Sequence, residues 1–262
     1  MQTIKVDLPE TLKSVHLVPL SDAHIGDALA DEQAFRSWLR FIQETPNAYC
    51  VLNGDLLNNA IRSSVSDTYN EIMSPMEQMV ALTIMLRPIS DRILCLTLGN
   101  HERRTAKESG IDIMRLVARE LGIEDRYSSG QAYVFLRFGK TETNGHHHRK
   151  QLYTMLVTHG SRGGRKDGSK VNALTDLVSI ADADIYLMGH THGALVLPKA
   201  YTRVDHANSK IKFVERLFIN SGAFLRYGGY GEQAAFDVPS LAKPTIELDG
   251  TRRRMVQTMV IE

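Results

Sequence analysis

Apolar residues along this chain fall into short runs, each ending in a polar, glycine-containing turn, and between these runs they recur at spacings of three and four. Val15-His16-Leu17-Val18-Pro19-Leu20 predicts a strand. Asp31 to Thr45 predicts a helix, because Phe35, Trp38, Leu39 and Ile42 share one face at helical spacing and Pro46-Asn47 ends the pattern. Tyr49-Cys50-Val51-Leu52 predicts the next strand. A strand, a helix and a strand in this order form a β-α-β unit, with parallel strands and a right-handed crossover. A helix is predicted over Tyr69 to Leu86, with Met73, Met76, Met79, Val80, Thr83 and Ile84 on its inward side. Pro75 marks either a kink in it or its true start. A buried strand from Arg92 to Leu98 follows, then a helix from Ile111 to Leu121 that Gly122 stops.

The second half reads differently. Ala132 to Phe138 is rich in aromatic and β-branched residues and predicts a strand that returns at Leu152 to Val157. Between them lies a polar stretch with an Asn144-Gly145 turn signal and His146-His147-His148, read as a solvated hairpin tip rather than a metal site. Val171 to Ile180 predicts a helix and Ile185 to Met188 a strand. Short strands then dominate, at Ala194 to Leu197, Ile211 to Asn220, Thr245 to Leu248 and Met255 to Ile261, and suggest a second, more antiparallel layer. No repeat, low-complexity segment or linker interrupts the chain, so residues 1–262 are expected to form one domain.

Composition narrows the classes. The chain is 43% hydrophobic, enough for a sizeable core, and its formal net charge of +1 gives no global argument for a polyanionic partner. Cys50 and Cys95 sit inside apolar runs and read as buried, reduced thiols. No stretch approaches the roughly 18 to 20 apolar residues of a membrane span, and the first residues lack the apolar core of a signal peptide. The expectation is a cytoplasmic protein without a membrane partner.

The candidate chemistry lies where the apolar runs end. Asp22-Ala23-His24 follows the first strand, Gly54-Asp55 the second, Gly99-Asn100-His101-Glu102 the third, Thr158-His159-Gly160 the fourth and Gly189-His190-Thr191-His192 the fifth. In α/β sheets the carboxyl ends of strands are where ligands bind. One such piece is an ordinary turn; five in register make a metal site. Asp22, Asp55, Asn100, His24, His159, His190 and His192 offer mixed oxygen and nitrogen donors, which suit Mn²⁺, Fe or Zn²⁺ better than Mg²⁺ or Ca²⁺. Seven ligands are too many for one ion with an open position, but suffice for two ions about 3.5 to 4 Å apart that share a bridging carboxylate. His16 lies within an apolar run and is read as a packed histidine. Ser161 to Lys170 is glycine-rich and basic. Arg162, Arg165 and Lys166 there, with Arg103 beside His101, are the candidate phosphate contacts. Tyr227-Gly228-Gly229-Tyr230-Gly231 is a loop that could border a substrate.

This ordered set of motifs resembles the calcineurin-like metallophosphoesterase superfamily. The resemblance implies an α/β fold, a four-layer α/β-β-α sandwich of mixed sheets flanked by helices. By position, it implies that Asp22, His24, Asp55 and His192 hold a first metal, that Asp55 bridges to a second held by Asn100, His159 and His190, and that His101 is the catalytic histidine outside the metal shell. The implied cofactor is two divalent ions, with Mn²⁺ the first choice and Fe or Zn²⁺ behind it. The implied reaction is hydrolysis of a phosphate ester by a hydroxide bridging the metals, with His101 stabilising the transition state or protonating the leaving oxygen. Glu102 is adjacent to His101, but neighbours on an extended segment face opposite ways, which leaves a more distant carboxylate as the expected orienting group. Phosphoprotein phosphatases of this superfamily carry Gly-Asp-x-Val-Asp-Arg-Gly, whereas Gly54-Asp55 continues here as Leu56-Leu57-Asn58-Asn59. Ser21-Asp22-Ala23-His24-Ile25-Gly26 is similar to the first motif of Mre11/SbcD-type DNA nucleases. A phosphodiesterase is therefore favoured, with DNA as its leading substrate. The alternatives are a phosphomonoesterase on small metabolites or phosphoproteins and a non-catalytic metal-binding scaffold. Related nucleases commonly dimerise, and the sequence leaves the oligomeric state open.

Overall fold

β-branched and aliphatic runs build two six-stranded sheets, face to face. The computed structural model describes residues 2–62, 64, 71–141, 149–161, 164, 166–229, 232 and 238–261. In the first sheet, β2 (Ser14–Leu20), β3 (Ala48–Asn53), β4 (Ile93–Thr97) and β5 (Tyr127–Ser128) run parallel. β11 (Lys243–Asp249) and β12 (Met255–Val260) continue it antiparallel, in the order β12-β11-β2-β3-β4-β5. The second sheet has the order β1-β6-β7-β8-β10-β9, from β1 (Gln2–Asp7), β6 (Ala132–Phe138), β7 (Gln151–Val157), β8 (Ile185–Met188), β9 (Leu195–Asp205) and β10 (Lys210–Asn220). Within it, β7, β8 and β10 are parallel to one another. Every residue of β3 and β4 is buried, as expected for central parallel strands covered on both faces.

Alternation along each strand assigns the layers. Val15 and Leu17 of β2 join Val51, Leu94, Val134, Tyr153, Leu187 and Ile219 between the sheets. Val18 and Leu20 face outward, onto helices α1 (Glu32–Glu44), α2 (Pro75–Leu86) and α4 (Ile113–Glu120), through Phe35, Leu39, Leu82, Met114 and Val117. On the far side, Leu156, Tyr186 and Phe218 pack against Leu174 of α5 (Asp167–Thr175) and Leu177. The result is the expected four-layer sandwich of mixed sheets flanked by helices. His16 is packed edge-on against Phe41, and both cysteines are free and buried. No described helix is long and apolar enough to cross a membrane.

The structure departs from the sequence pattern in several places. The C-terminal strands do not form a layer of their own: β9 and β10 extend the second sheet, while β11 pairs with β2 of the first. β9 has eleven residues, not four, because its hairpin with β10 runs far beyond the sheet. α2 starts at Pro75, after a Ser74–Glu77 capping box, so the proline marks a start and not a kink. Its inward face carries Gln78, Leu82, Thr83, Met85 and Leu86, whereas Met76, Val80 and Ile84 are exposed. Apolar residues surround this helix on all sides, so spacing alone does not choose its buried face. The Asn100–His101–Glu102 segment is not extended; it is the first turn of a helix, α3 (Asn100–Ser109). The His146–His148 stretch lies outside the described residues.

Candidate functional site

Five strands of the two sheets, β2, β3, β4, β7 and β8, deliver their exits to one place. Asp22, His24, Asp55, His190 and His192 all have left-handed backbone, with φ between 46° and 67°. Non-glycine residues adopt this conformation seldom, and its concentration here is stored strain of the kind found at functional sites. Gly54, at φ +89°, leaves no room for a side chain: a Cβ there would lie 2.7 Å from both Gly99 Cα and His159 Nδ1.

Two donor clusters result. In the first, Asp22 Oδ1 lies 3.2 Å from His192 Nε2 and 3.9 Å from His24 Nε2. The two imidazole nitrogens are 3.3 Å apart. In the second, Asp55 Oδ2 lies 3.0 Å from His159 Nε2. Asn100 Oδ1 stands 2.9 Å from His159 Nε2 and 2.8 Å from His190 Nδ1. The carboxylates are held alike. Asp22 Oδ2 accepts the His190 backbone N–H at 3.1 Å, and Asp55 Oδ1 accepts that of His101 at 2.8 Å, so each presents its other oxygen inward. Asp55 joins the clusters: its ligand atom falls within 4.8 Å of those of both His24 and His101, and of both His159 and His190.

The electrostatics follow from burial. Burial pushes the Asp22 carboxyl up, but the nearby His192 ring and the His159 charge prevail and hold it at about 2. Burial pushes the Asp55 carboxyl up, but the charge of His159, 3.0 Å away, prevails and holds it well below the usual carboxylate range. Burial opposes the His159 cation, but Asp55 raises it to about 10; His192 is raised by Asp22 against the same penalty. Burial, reinforced by neighbouring imidazolium charge, lowers His24 and His190. Burial also lowers His101.

This donor set fits divalent metal. Asp22 Oδ1, turned into the first cluster, is buried and makes no hydrogen bond despite its 3.2 Å approach to His192. Buried polar atoms are nearly always paired, and inward-facing carboxylate and imidazole lone pairs are what a cation satisfies.

Several supporting residues have roles that the sequence did not assign. Glu102 is fully buried and anchors the site: Oε2 accepts the N–H of Gly99 at 2.9 Å and of Asp55 at 3.2 Å, and Oε1 accepts that of Leu57 at 2.9 Å. Among the described residues no carboxylate hydrogen-bonds the His101 ring; its Nδ1 lies 2.8 Å from the Asn58 carbonyl oxygen. Asn58 is fixed in turn by Asp27 and Glu71. Beyond β10, Asn220 donates to Gly189 O and Thr191 Oγ1, and Ser221 to Asn53 Oδ1, so the end of β10 braces the His190 loop. Glu102 belongs to the Gly99-Asn100-His101-Glu102 motif, whereas Asn220 and Ser221 show only polarity at a strand end.

The predicted phosphate contacts fare differently. Arg103 turns away and donates to Ser129 O at 2.8 Å. Lys166 is exposed, at the residue capping α5. Arg162, Arg165 and Tyr230 lie outside the described residues. The next arginine, Arg104, reaches the site: it donates to His101 Nε2 at 3.1 Å and to Asn58 O at 3.2 Å.

A family model for calcineurin-like phosphoesterases matches residues 20–194, from the end of β2 to the beginning of β9. Among solved structures, a metallophosphoesterase from Sphaerobacter thermophilus is similar at 14% identity and a TM-score of 0.41, over 94% of this chain and 88% of that one. A conserved protein from Streptococcus pneumoniae TIGR4, described as a predicted phosphoesterase, is similar at 15% identity and a TM-score of 0.36, over 95% and 100%. GAP50 of Plasmodium, described as the anchor in the inner membrane complex, is similar at 10% identity and a TM-score of 0.44, over 95% and 84%. No curated protein is significantly similar to the chain in sequence.

Proposed function

The chain belongs to the calcineurin-like phosphoesterase family, and on that premise we propose that it is a two-metal phosphodiesterase, with DNA as its favoured substrate. The observation that carries the reading is the placement of Asp55 between the two donor clusters. Asp22, His24, Asp55 and His192 would hold one divalent ion; Asp55, Asn100, His159 and His190 would hold the other. Mn²⁺ is the first choice for this mixed nitrogen and oxygen set, ahead of Fe and Zn²⁺. Bound there, two cations supply a water of lowered pKa and neutralise charge on the phosphoryl oxygens.

The chain's own groups do the rest. Strained loops hold Asp22 and Asp55 with one oxygen tied to backbone and the other turned inward, so little reorganisation accompanies ligation. The Asn58 carbonyl fixes the His101 ring, whose Nε2 stands 3.8 Å from Asp55 Oδ2, at the edge of the donor cluster. His101 would act there on the phosphate or its leaving oxygen.

Two features support a polymeric diester. Asp22-Ala23-His24 sits in a segment similar to the first motif of Mre11/SbcD-type nucleases. Lys170, on α5 and ion-paired with Asp167 at 3.3 Å, comes close to the loop after His192, where a Cβ on Gly193 would meet its side chain at 3.6 Å. Such a cation suits the phosphates flanking a cleaved bond.

The test is hydrolysis by metal-free protein reloaded with Mn²⁺, using bis-p-nitrophenyl phosphate, p-nitrophenyl phosphate, and labelled single- and double-stranded DNA, with His101→Ala as the blank. Diester and DNA cleavage that is lost in the variant is the expected result. Activity on the monoester alone would replace the reading with a phosphomonoesterase. No hydrolysis by metal-loaded protein would leave a binding scaffold.

A further inference from the structure

Arg103 and Arg104 are adjacent in sequence, but helical geometry sends them in different directions, and only the second meets the catalytic histidine. Arg104 lies one turn after His101 on α3, so the two side chains share a face. Its guanidinium donates from Nη2 to His101 Nε2 at 3.1 Å and from Nη1 to Asn58 O at 3.2 Å. A guanidinium can only donate and a carbonyl can only accept. His101 therefore carries its proton on Nδ1, against Asn58 O, and turns the Nε2 lone pair to Arg104.

This arrangement leaves the arginine incomplete. Arg104 is half-buried, and among the described residues no carboxylate lies within 4 Å of it; Asp55, Glu102 and Glu71 act on it only from farther away. Two hydrogen bonds occupy two of its five N–H donors, and neither neutral acceptor, His101 or the Asn58 carbonyl, neutralises its charge. Its anchor atom, His101 Nε2, is 3.8 Å from Asp55 Oδ2, in the same cluster of ligand atoms. A partly desolvated cation held in place beside the donor cluster, with no carboxylate among the described residues within ion-pairing distance, suits an incoming tetrahedral oxyanion.

We propose that Arg104 is a substrate-binding residue whose guanidinium docks a non-bridging oxygen of the phosphate group, with His101 and Asn58 holding it in position. The inference rests on the phosphoesterase reading above and adds the residue that recognises the phosphate. With Nδ1–H on Asn58 O and Nε2 accepting from Arg104, His101 holds no proton for a leaving oxygen in this arrangement; its part is the acceptor that aims Arg104.

The experiment compares wild type, Arg104→Ala and Arg104→Lys, each loaded with Mn²⁺. Inorganic phosphate affinity is measured by calorimetric titration, KM and kcat on bis-p-nitrophenyl phosphate, metal content by mass spectrometry, and folding by thermal melting. For Arg104→Ala we expect phosphate affinity to fall about 10-fold or more, the scale of a lost charge-assisted hydrogen bond. KM should rise by a similar factor, with metal content and melting unchanged. Arg104→Lys should recover part of the affinity, since it keeps the charge but cannot span both anchors. Unchanged phosphate affinity and KM in Arg104→Ala would overturn the proposal. So would a fall in kcat alone, which would make Arg104 only a positioning residue for His101, or a wild type that binds no phosphate. If wild type hydrolyses nothing, the proposed function fails, while the phosphate titration still decides the role of Arg104.

Discussion

Asp55 Oδ2 lies 3.0 Å from His159 Nε2, while its partner oxygen accepts the backbone N–H of His101, so a single carboxylate ties the exit of β3 to those of β7 and β4. Its ligand atom comes within 4.8 Å of His24 in the first cluster and of His159 and His190 in the second. Asp55→Asn keeps the shape but removes the charge. We expect the metal content to fall from two ions to one or none, and hydrolysis to drop about 100-fold or more, at least the loss seen when metal-orienting partners are removed. Metal analysis after dialysis, beside rates on the diester, checks this; two tightly bound ions with normal turnover would remove Asp55 from the bridge.

The same pair predicts a pH dependence. Asp55 raises the folded-state pKa of His159 from its ordinary 6.5 to about 10. A raised pKa means the stabilisation is fully present below the ordinary value and disappears as pH climbs through the folded one. Metal-free protein should therefore lose stability between about pH 6.5 and pH 10. Ligation needs a neutral imidazole, so metal loading at pH 7 should release protons. Calorimetric titration in two buffers of different ionisation enthalpy counts them; zero release contradicts the assignment.

Glu102 tests the scaffold under the site. Its two oxygens accept three backbone N–H groups, and burial raises its carboxyl to about 7. Glu102→Gln turns an amide N–H₂ against at least one of those donors. A buried donor left without a partner should cost about 1–3 kcal/mol, read by denaturant unfolding of the metal-free protein.

Gly99 has no space for a methyl group. A Cβ there would overlap the backbone nitrogen and Oδ1 of Asp55 and crowd Glu102 Oε2. Gly99→Ala should therefore displace the shared carboxylate, lowering metal content as well as stability, the latter by about 1–3 kcal/mol as for other overpacked sites. A variant that keeps both ions and melts normally would show that the β4 exit can yield.

The two faces of α2 give a contrast. Leu82 is fully buried and Ile84 is 63% exposed. Leu82→Ala should cost about 2–5 kcal/mol, and Ile84→Gln should stay within about 0.5 kcal/mol, as measured by urea unfolding. The reverse order would restore the face that residue spacing suggested.

The sequence alone determined the candidate ligand residues and most of the framework. Each ligand motif is local, an apolar run that must be a buried strand followed by a short polar turn, so its chemistry and its position at a strand end can be read together. Asp22, His24, Asp55, Asn100, His159, His190 and His192 converge because parallel strands present their exits on one edge, which β-α-β order already implies. Local pattern could not show what depends on contacts between distant segments. The Asn58 carbonyl orients His101 across 43 residues, and carbonyls leave no trace in side-chain identity. Glu102 was seen beside His101 but became an anchor for Gly99, Asp55 and Leu57 only when its segment wound into a helix. Of two neighbouring arginines, the rotation of that helix selected Arg104 for the site and Arg103 for Ser129. α2 is apolar on every side, so packing against the sheet, not periodicity, chose its buried face. Local periodicity fixes an element and the chemistry at its end; its rotation and its distant partners are set by packing, which the chain acquires only when folded.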